Sequence, residues 1–297
     1  MPEFSFYLNN LSFQYPEGLQ IEELREKIEQ LEDDCKFIRE KDERIYRHES
    51  VYSEKIFEDW DLMDMYNPEF QEVIGRDYSF LLPTIIDQSI ATDIDNELVI
   101  ACLEEHSEQE VNGLLCLHEI AEVDAIFCVY NRNNWFDFHR YFLGLYPIDE
   151  KFYANSCTIY FPDLNFHPNT AATLKTLKGG GLKNFSIIIV KCLTHLNDDF
   201  SSCHIHNNIP ATLKRFSTIC GLDVSNEGNA DRKKDLTFNF IDTKGNRVKI
   251  YCEPHIKISK SDLPSDNTHH FNRLYFHVGK PEIANGAILI AHIGKHL

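Results

Sequence analysis

Apolar residues recur along this chain at two periods, and the change from one to the other marks its organisation. From Ile21 the spacing is helical: Ile21, Leu24, Ile28, Leu31, Cys35 and Ile38 follow at three- and four-residue steps with charges between them, which predicts an amphipathic helix. Ahead of it, FSFYLNNLSFQY at 4–15 reads as a short aromatic hairpin turning at Asn9-Asn10. Residues 42–80 mix aromatics with acids as helical pieces interrupted at Pro68 and Gly75, and Leu81-Leu82-Pro83 reads as a break. The short runs 97–103, 114–118 and 125–130 are strands or buried short elements; so few residues do not separate the two. A helix is expected over 135–145, ended by Pro147. A second helix-like run begins at Asp149, and CTIYF at 157–161 reads as strand-like.

PDLNFHPN, between Pro162 and Asn169, carries two prolines and a change of composition beyond it. It suggests two domains, 1–165 and 166–297. Helices are expected at 170–178, 185–200 and 210–220, the last stopping at Gly221, with the loop DVSNEGNADRKKD after it. Lys178 is followed by three glycines but by no GK[ST], so the segment reads as a flexible joint and not as a phosphate loop.

Beyond the loop the period becomes two. Leu236, Phe238 and Phe240 alternate, as do Val248, Ile250 and Cys252, and then Ile256 and Ile258 after a break at Pro254. Glu253, His255 and Lys257 share the opposite face, because side chains alternate across a strand. In the third run Arg273, Tyr275 and His277 face one way and Leu274, Phe276 and Val278 the other. In the fourth, Ile288, Leu289, Ile290, Ile293 and Leu297 are apolar, while His292, Lys295 and His296 gather at the exit. The fold class expected is α+β: an acidic, mixed N-terminal region and a C-terminal antiparallel four-stranded sheet packed on helices.

Charge sharpens that division. The 297 residues carry a net −18, but residues 1–150 hold 11 Lys+Arg against 35 Asp+Glu, a balance of −24, and residues 151–297 hold 18 against 12, a balance of +6. Ten of the 14 histidines lie in the second half, so its positive charge grows at lower pH. The acidic half repels nucleic acid and anionic membranes, leaving the second half to meet a polyanion. RNA is the expected partner there, and a protein partner is expected through the acidic half, which would restrain the basic sheet. No apolar run has membrane-spanning length, and MPEFSFYLNN lacks the basic region of a signal peptide. Nine cysteines without a CxxC pair read as reduced thiols of a cytoplasmic protein.

The strand faces carry the candidate chemistry. His255, Lys257, Arg273, Tyr275, His292, Lys295 and His296 are the candidate catalytic residues, with Lys249, Lys260 and His277 as RNA-binding candidates; no metal or cofactor is expected. Internal cleavage of RNA needs a base for the 2′-hydroxyl, a cation for the developing phosphorane charge and an acid for the leaving 5′-oxygen, all available from His, Lys and Arg. Tyr275 is suited to stacking on a base.

The run of helices followed by strands, with RLYFHV, ILIAHIGKHL and the preceding PHIK, resembles the RelE/ParE-like toxin superfamily over about residues 170–297. The resemblance implies a metal-independent endoribonuclease in a bacterial toxin or phage-defence setting, with Lys257, Arg273, Tyr275 and Lys295 in its cleavage positions. Two alternatives stand beside it. One is a non-enzymatic interaction or regulatory protein of such a system. The other is a metal-dependent nuclease, with Asp242, Glu253 and Lys257 present but misspaced for a PD-(D/E)xK motif, or with ligands from Cys203-His204-Ile205-His206, His269, His270 and either Glu253 or His255.

Overall fold

The computed structural model describes residues 2–206, 208–226, 230–258 and 271–297. The chain divides into two compact units, Met1–Phe138 and His139–Leu297, upstream of the expected 162–169 boundary. Both are mixed α/β.

The first unit is built on a parallel sheet. In chain order its elements are β1 (Glu3–Leu8), α1 (Ile21–Glu40), β2 (Arg44–Arg47), a small ribbon of β3 (Lys55–Phe57) and β4 (Trp60–Asp61), and α2 (Pro68–Ile74). Then come α3 (Arg76–Asp87), β5 (Ile90–Ala91), α4 (Asn96–Leu103), β6 (Glu110–Leu115) and β7 (Cys128–Val129). The sheet order is β5-β2-β1-β6-β7, with every pairing parallel. β1 is central, so Phe4, Phe6 and Leu8 are buried, as strands covered on both faces require. That overturns the expected 4–15 hairpin: after Leu8 the Asn9 side chain accepts from Leu11 N and starts a single 3-10 turn. The helix from Ile21 forms as its period indicates, with Glu23 accepting from the Gln20 N–H at its start. The 97–103 run is helix α4, capped by Asp95 on Leu98 N.

Pro83 does not break the chain but lies inside α3. An interior proline costs a helix about 3 kcal/mol, and α3 offsets it by burying Leu82, Pro83, Ile85 and Ile86.

Helix α5 (Arg132–Leu145) runs across the division. The second unit continues with α6 (Glu150–Tyr160), β8 (Leu164–Phe166), α7 (Thr170–Leu174), α8 (Leu182–Asp198), α9 (Phe200–Cys203) and α10 (Ile209–Cys220). Its remaining strands are β9 (Val224–Asn226), β10 (Thr237–Ile241), β11 (Arg247–Tyr251), β12 (Pro254–Lys257), β13 (Asn272–His277) and β14 (Ile288–Lys295). CTIYF is therefore the end of α6 and not a strand: Tyr153, Cys157 and Tyr160 form one buried stripe, and the β-branched Thr158 and Ile159 lie off it. Gly221 ends α10 in the left-handed conformation (φ 65°) that glycine permits.

The main sheet of this unit has five strands, not four, in the order β8-β14-β13-β12-β9; β8 joins parallel and the other pairs are antiparallel. The first expected strand does not belong to it. β10 and β11 form a separate ribbon, whose Phe240, Ile250 and Cys252 pack with Ile283, Leu289 and Ala291. Pro254 causes the separation, because it lacks the N–H a continuous strand would donate.

Gly294 on β14 gives a test of this packing. A Cβ there would collide with Thr176 Oγ1 and the Thr173 carbonyl, just after and within α7. Gly294→Ala should destabilise the protein by about 1–3 kcal/mol, read as a lowered denaturant midpoint with unchanged slope; an unchanged midpoint would refute the close approach.

Candidate functional site

Pairing in the main sheet lines up polar side chains from strands distant in sequence. His255 lies opposite Ser225 on β9 and opposite Tyr275 on β13, and Tyr275 lies opposite His292 on β14. Because directly paired residues share a face, Ser225, His255, Tyr275 and His292 form one row across four strands. Two residues along, Lys257 pairs with Arg273, and Arg273 with Gly294, on the same face.

The row is interior. His255 is 4 %, Tyr275 0 %, His292 4 % and Arg273 6 % exposed, so these groups are not the open cationic surface that strand alternation alone suggests. The rings touch in sequence, with centroids 5.2 Å apart for His255 and Tyr275 and 5.9 Å for Tyr275 and His292. Ser225 Oγ lies 3.2 Å from His255 Nε2, and the other ring nitrogen of His255 is 3.4 Å from the Glu253 carbonyl.

His292 Nε2 is 2.8 Å from the Lys295 carbonyl, which only accepts, so Nε2 carries the proton and Nδ1 is the basic nitrogen. Burial lowers the His292 pKa to about 4, against a smaller upward pull from the Lys295 carbonyl, and the ring is neutral near pH 7. Arg273 donates to the Asn272 carbonyl at 2.8 Å. Lys257 is half-buried and ion-paired with Asp223 at 2.7 Å.

The other candidates are dispersed. Lys295 pairs with Asn272, one step out of phase with Arg273, and is exposed. His296 accepts from Arg232, whose guanidinium also bonds the Leu297 carbonyl at 2.7 Å. His277 lies beyond Tyr275, accepts from Gly279 N, and has its pKa lowered by burial first and by Lys280 second. Lys249 is exposed on the β10–β11 ribbon, away from the main sheet. Lys260, His269 and His270 lie outside the described residues.

Asp242 closes the β10–β11 turn by accepting from Lys244 N and Asn246 N. Among the described residues, neither Asp242 and Glu253 nor Cys203, His204 and His206 enter a three-donor cluster. Ser225 and Asp223 were missed in the sequence because they sit in a stretch that reads as loop; β9 is only three residues long.

The first unit holds one further buried histidine, His118, which follows β6 in a sheet whose strand order reverses between β1 and β6. The His118 N–H donates to the Ser12 carbonyl at 2.9 Å, beside the end of β1. Its ring is 3 % exposed, and burial, with Lys27 adding to the effect, lowers its pKa to about 4.

Comparison with protein-family models, curated proteins and solved structures found no match. The fold therefore defines the class: a two-unit α/β protein with a parallel sheet in the first unit and a mixed, mostly antiparallel sheet in the second.

The two buried rings make stability pH-dependent. Each has a folded pKa near 4 against an ordinary 6.5, so the unfolded chain binds the proton first on acidification. The stabilisation is complete above about pH 6.5 and is lost as pH falls through 4. It amounts to roughly 3 kcal/mol for each ring over the full titration. Denaturant midpoints recorded from pH 7.5 to 4.5 should drop steeply, and His292→Gln should flatten the part belonging to the second unit; a slope identical in the variant would refute the assignment.

Proposed function

We propose that the second unit is a metal-independent endoribonuclease whose acid–base groups are His292 and His255. The observation that carries this reading is the single row of Ser225, His255, Tyr275 and His292 beside Arg273 and Lys257. Two imidazoles flank a phenol, and two cations stand two residues along, which is the set phosphodiester transfer needs.

In this mechanism His292 Nδ1 takes the 2′-hydroxyl proton, and the 2′-oxygen forms its bond to phosphorus while the bond to the 5′-oxygen breaks. His255, adjoining the Ser225 hydroxyl, returns a proton to the 5′-oxygen, and Arg273 and Lys257 stabilise the charge on the phosphoryl oxygens. With its pKa lowered to about 4, His292 is unprotonated at neutral pH and free to accept the proton, as a weaker base than an ordinary imidazole. A balance of +6 over residues 151–297 favours a polyanionic substrate. The toxin or phage-defence setting rests on the resemblance of residues 170–297 to RelE/ParE-like toxins. The acidic first half, at −24 over residues 1–150, is proposed as the part that binds a protein partner and restrains the nuclease.

A second reading has an observation of its own. The row is buried, with His292 bonded to Lys295 and His255 to Ser225, as in a polar network that fixes strand register. Under that reading the protein is a non-enzymatic interaction module.

Purified full-length protein incubated with total RNA, tRNA and DNA in EDTA separates the two, with far-UV circular dichroism of the same samples to follow folding. The nuclease reading expects RNA cleavage that survives EDTA and falls by about 10²-fold or more in His255→Gln and in His292→Gln, both variants remaining folded. Cleavage lost in EDTA by folded protein points to a metal-dependent nuclease, and absence of cleavage by the wild-type chain sinks the catalytic reading.

A further inference from the structure

A second group of side chains in this unit has the donor composition of a metal centre. His195 in the last turn of α8 and Asp199 just after it are one helical turn apart, with His195 Nδ1 2.6 Å from Asp199 Oδ2. Cys220, the last residue of α10, brings its sulfur to the same place, and the three donor atoms all lie within 4.8 Å of one another.

We propose that His195, Asp199 and Cys220 bind a divalent transition metal ion, zinc by preference, as three protein ligands with solvent in the fourth position. The donor set argues for zinc over magnesium or calcium: one thiolate, one imidazole and one carboxylate make a borderline-soft site, whereas the hard cations take oxygen. The size also fits. Tetrahedral zinc with bonds of about 2.0–2.3 Å separates its ligand atoms by roughly 3.3–3.8 Å, so the His195–Asp199 pair needs to open by about 1 Å.

The group is closed on the sulfur side and open on the other. Cys220 is 7 % exposed, while the His195 and Asp199 side chains are 27 % and 42 % exposed, leaving room for solvent at the fourth position. Burial first, then the Asp199 charge and Cys203, push the Cys220 thiol up to about 11. A bound cation reverses the second of these influences and favours the thiolate.

The location ties the ion to the edge strand. Cys220 is followed by left-handed Gly221, by Leu222, whose carbonyl accepts from Ser217 Oγ, and by Asp223 and β9. A metal joining α8 to the end of α10 fixes the start of the edge strand that carries Asp223 to Lys257 and Ser225 to His255. The proposal is independent of the ribonuclease reading, because its readout is the ion.

The test is titration of the full-length protein, stripped with EDTA under reducing conditions, with Co²⁺ and then Zn²⁺. One Co²⁺ per chain should bind, with thiolate-to-cobalt charge-transfer absorption in the near ultraviolet that Zn²⁺ abolishes. Cys220→Ser should remove that absorption, and His195→Gln should retain it while weakening Co²⁺ binding by about tenfold or more. Absence of the absorption in the wild-type chain overturns the proposal. So does its persistence in Cys220→Ser, and so does its loss in a folded His204→Gln/His206→Gln double variant that keeps Cys220. If Cys220→Ser does not fold, the wild-type spectrum and the His195→Gln affinity decide.

Discussion

The pairing of β13 with β14 is the constraint on which the second unit depends. β13 is the middle strand of five and buried from Asn272 to Phe276, so every side chain on it must find a packed or bonded partner. One irregularity makes that feasible. Tyr275 lies opposite His292, but Phe276 lies opposite Ile290, leaving Ala291 as an extra residue in β14. Without this bulge Leu289 would alternate away from the His292 face. With it, Leu289 pairs with His277 on that face, and Leu289 and Ala291 both pack into the cluster of Phe240, Ile250 and Cys252. One residue of slippage thus lets the same strand present a histidine to the polar row and aliphatic groups to the β10–β11 ribbon.

What could be read from the sequence follows from this. Alternation in β12 and β13 was enough to sort His255 and Lys257 from Ile256, and Arg273 and Tyr275 from Leu274, and the structure keeps those assignments. Beyond the bulge the register is regular, so plain alternation takes Lys295 off the His292 face, and the loose grouping of His292, Lys295 and His296 at the strand exit resolves into three environments. Nor does periodicity say which strands share a sheet. β10 and β11 have the expected alternation yet form their own ribbon, because Pro254 interrupts the hydrogen-bonding run before β12. The helices at α1, α8 and α10 were legible from period and caps. The α3 proline and the α6 terminus were not, because burial of a stripe outweighed local propensity at Pro83, Thr158 and Ile159.

Burial reverses what the candidate residues imply on paper. A sheet face dense in His, Lys, Arg and Tyr suggests a solvated cationic platform, but the three aromatic members of the row are at most 4 % exposed. In that setting the His292 imidazole holds an added proton poorly and is a neutral acceptor where a surface histidine would contribute charge. The positive charge left on this face comes from Arg273 and from Lys257, the latter already matched by Asp223. Electrostatic attraction for a polyanion is then weaker at the row itself than the +6 balance of residues 151–297 suggests.

This shifts attention to the edge of the sheet. Among the described residues β9 has three residues and pairs on one side only, with β12, so little main-chain bonding fixes it. Yet it supplies both Ser225 to His255 and, from the residue just before it, Asp223 to Lys257. Any movement of β9 therefore alters the partners of one imidazole and of one cation together. Releasing Asp223 would leave Lys257 free to meet an anion, and releasing Ser225 would open a proton position on His255. This short edge element is joined through Gly221 to the end of α10, where His195, Asp199 and Cys220 converge. A shift at that junction would therefore reach Asp223 and Ser225 through β9 without moving the buried rings.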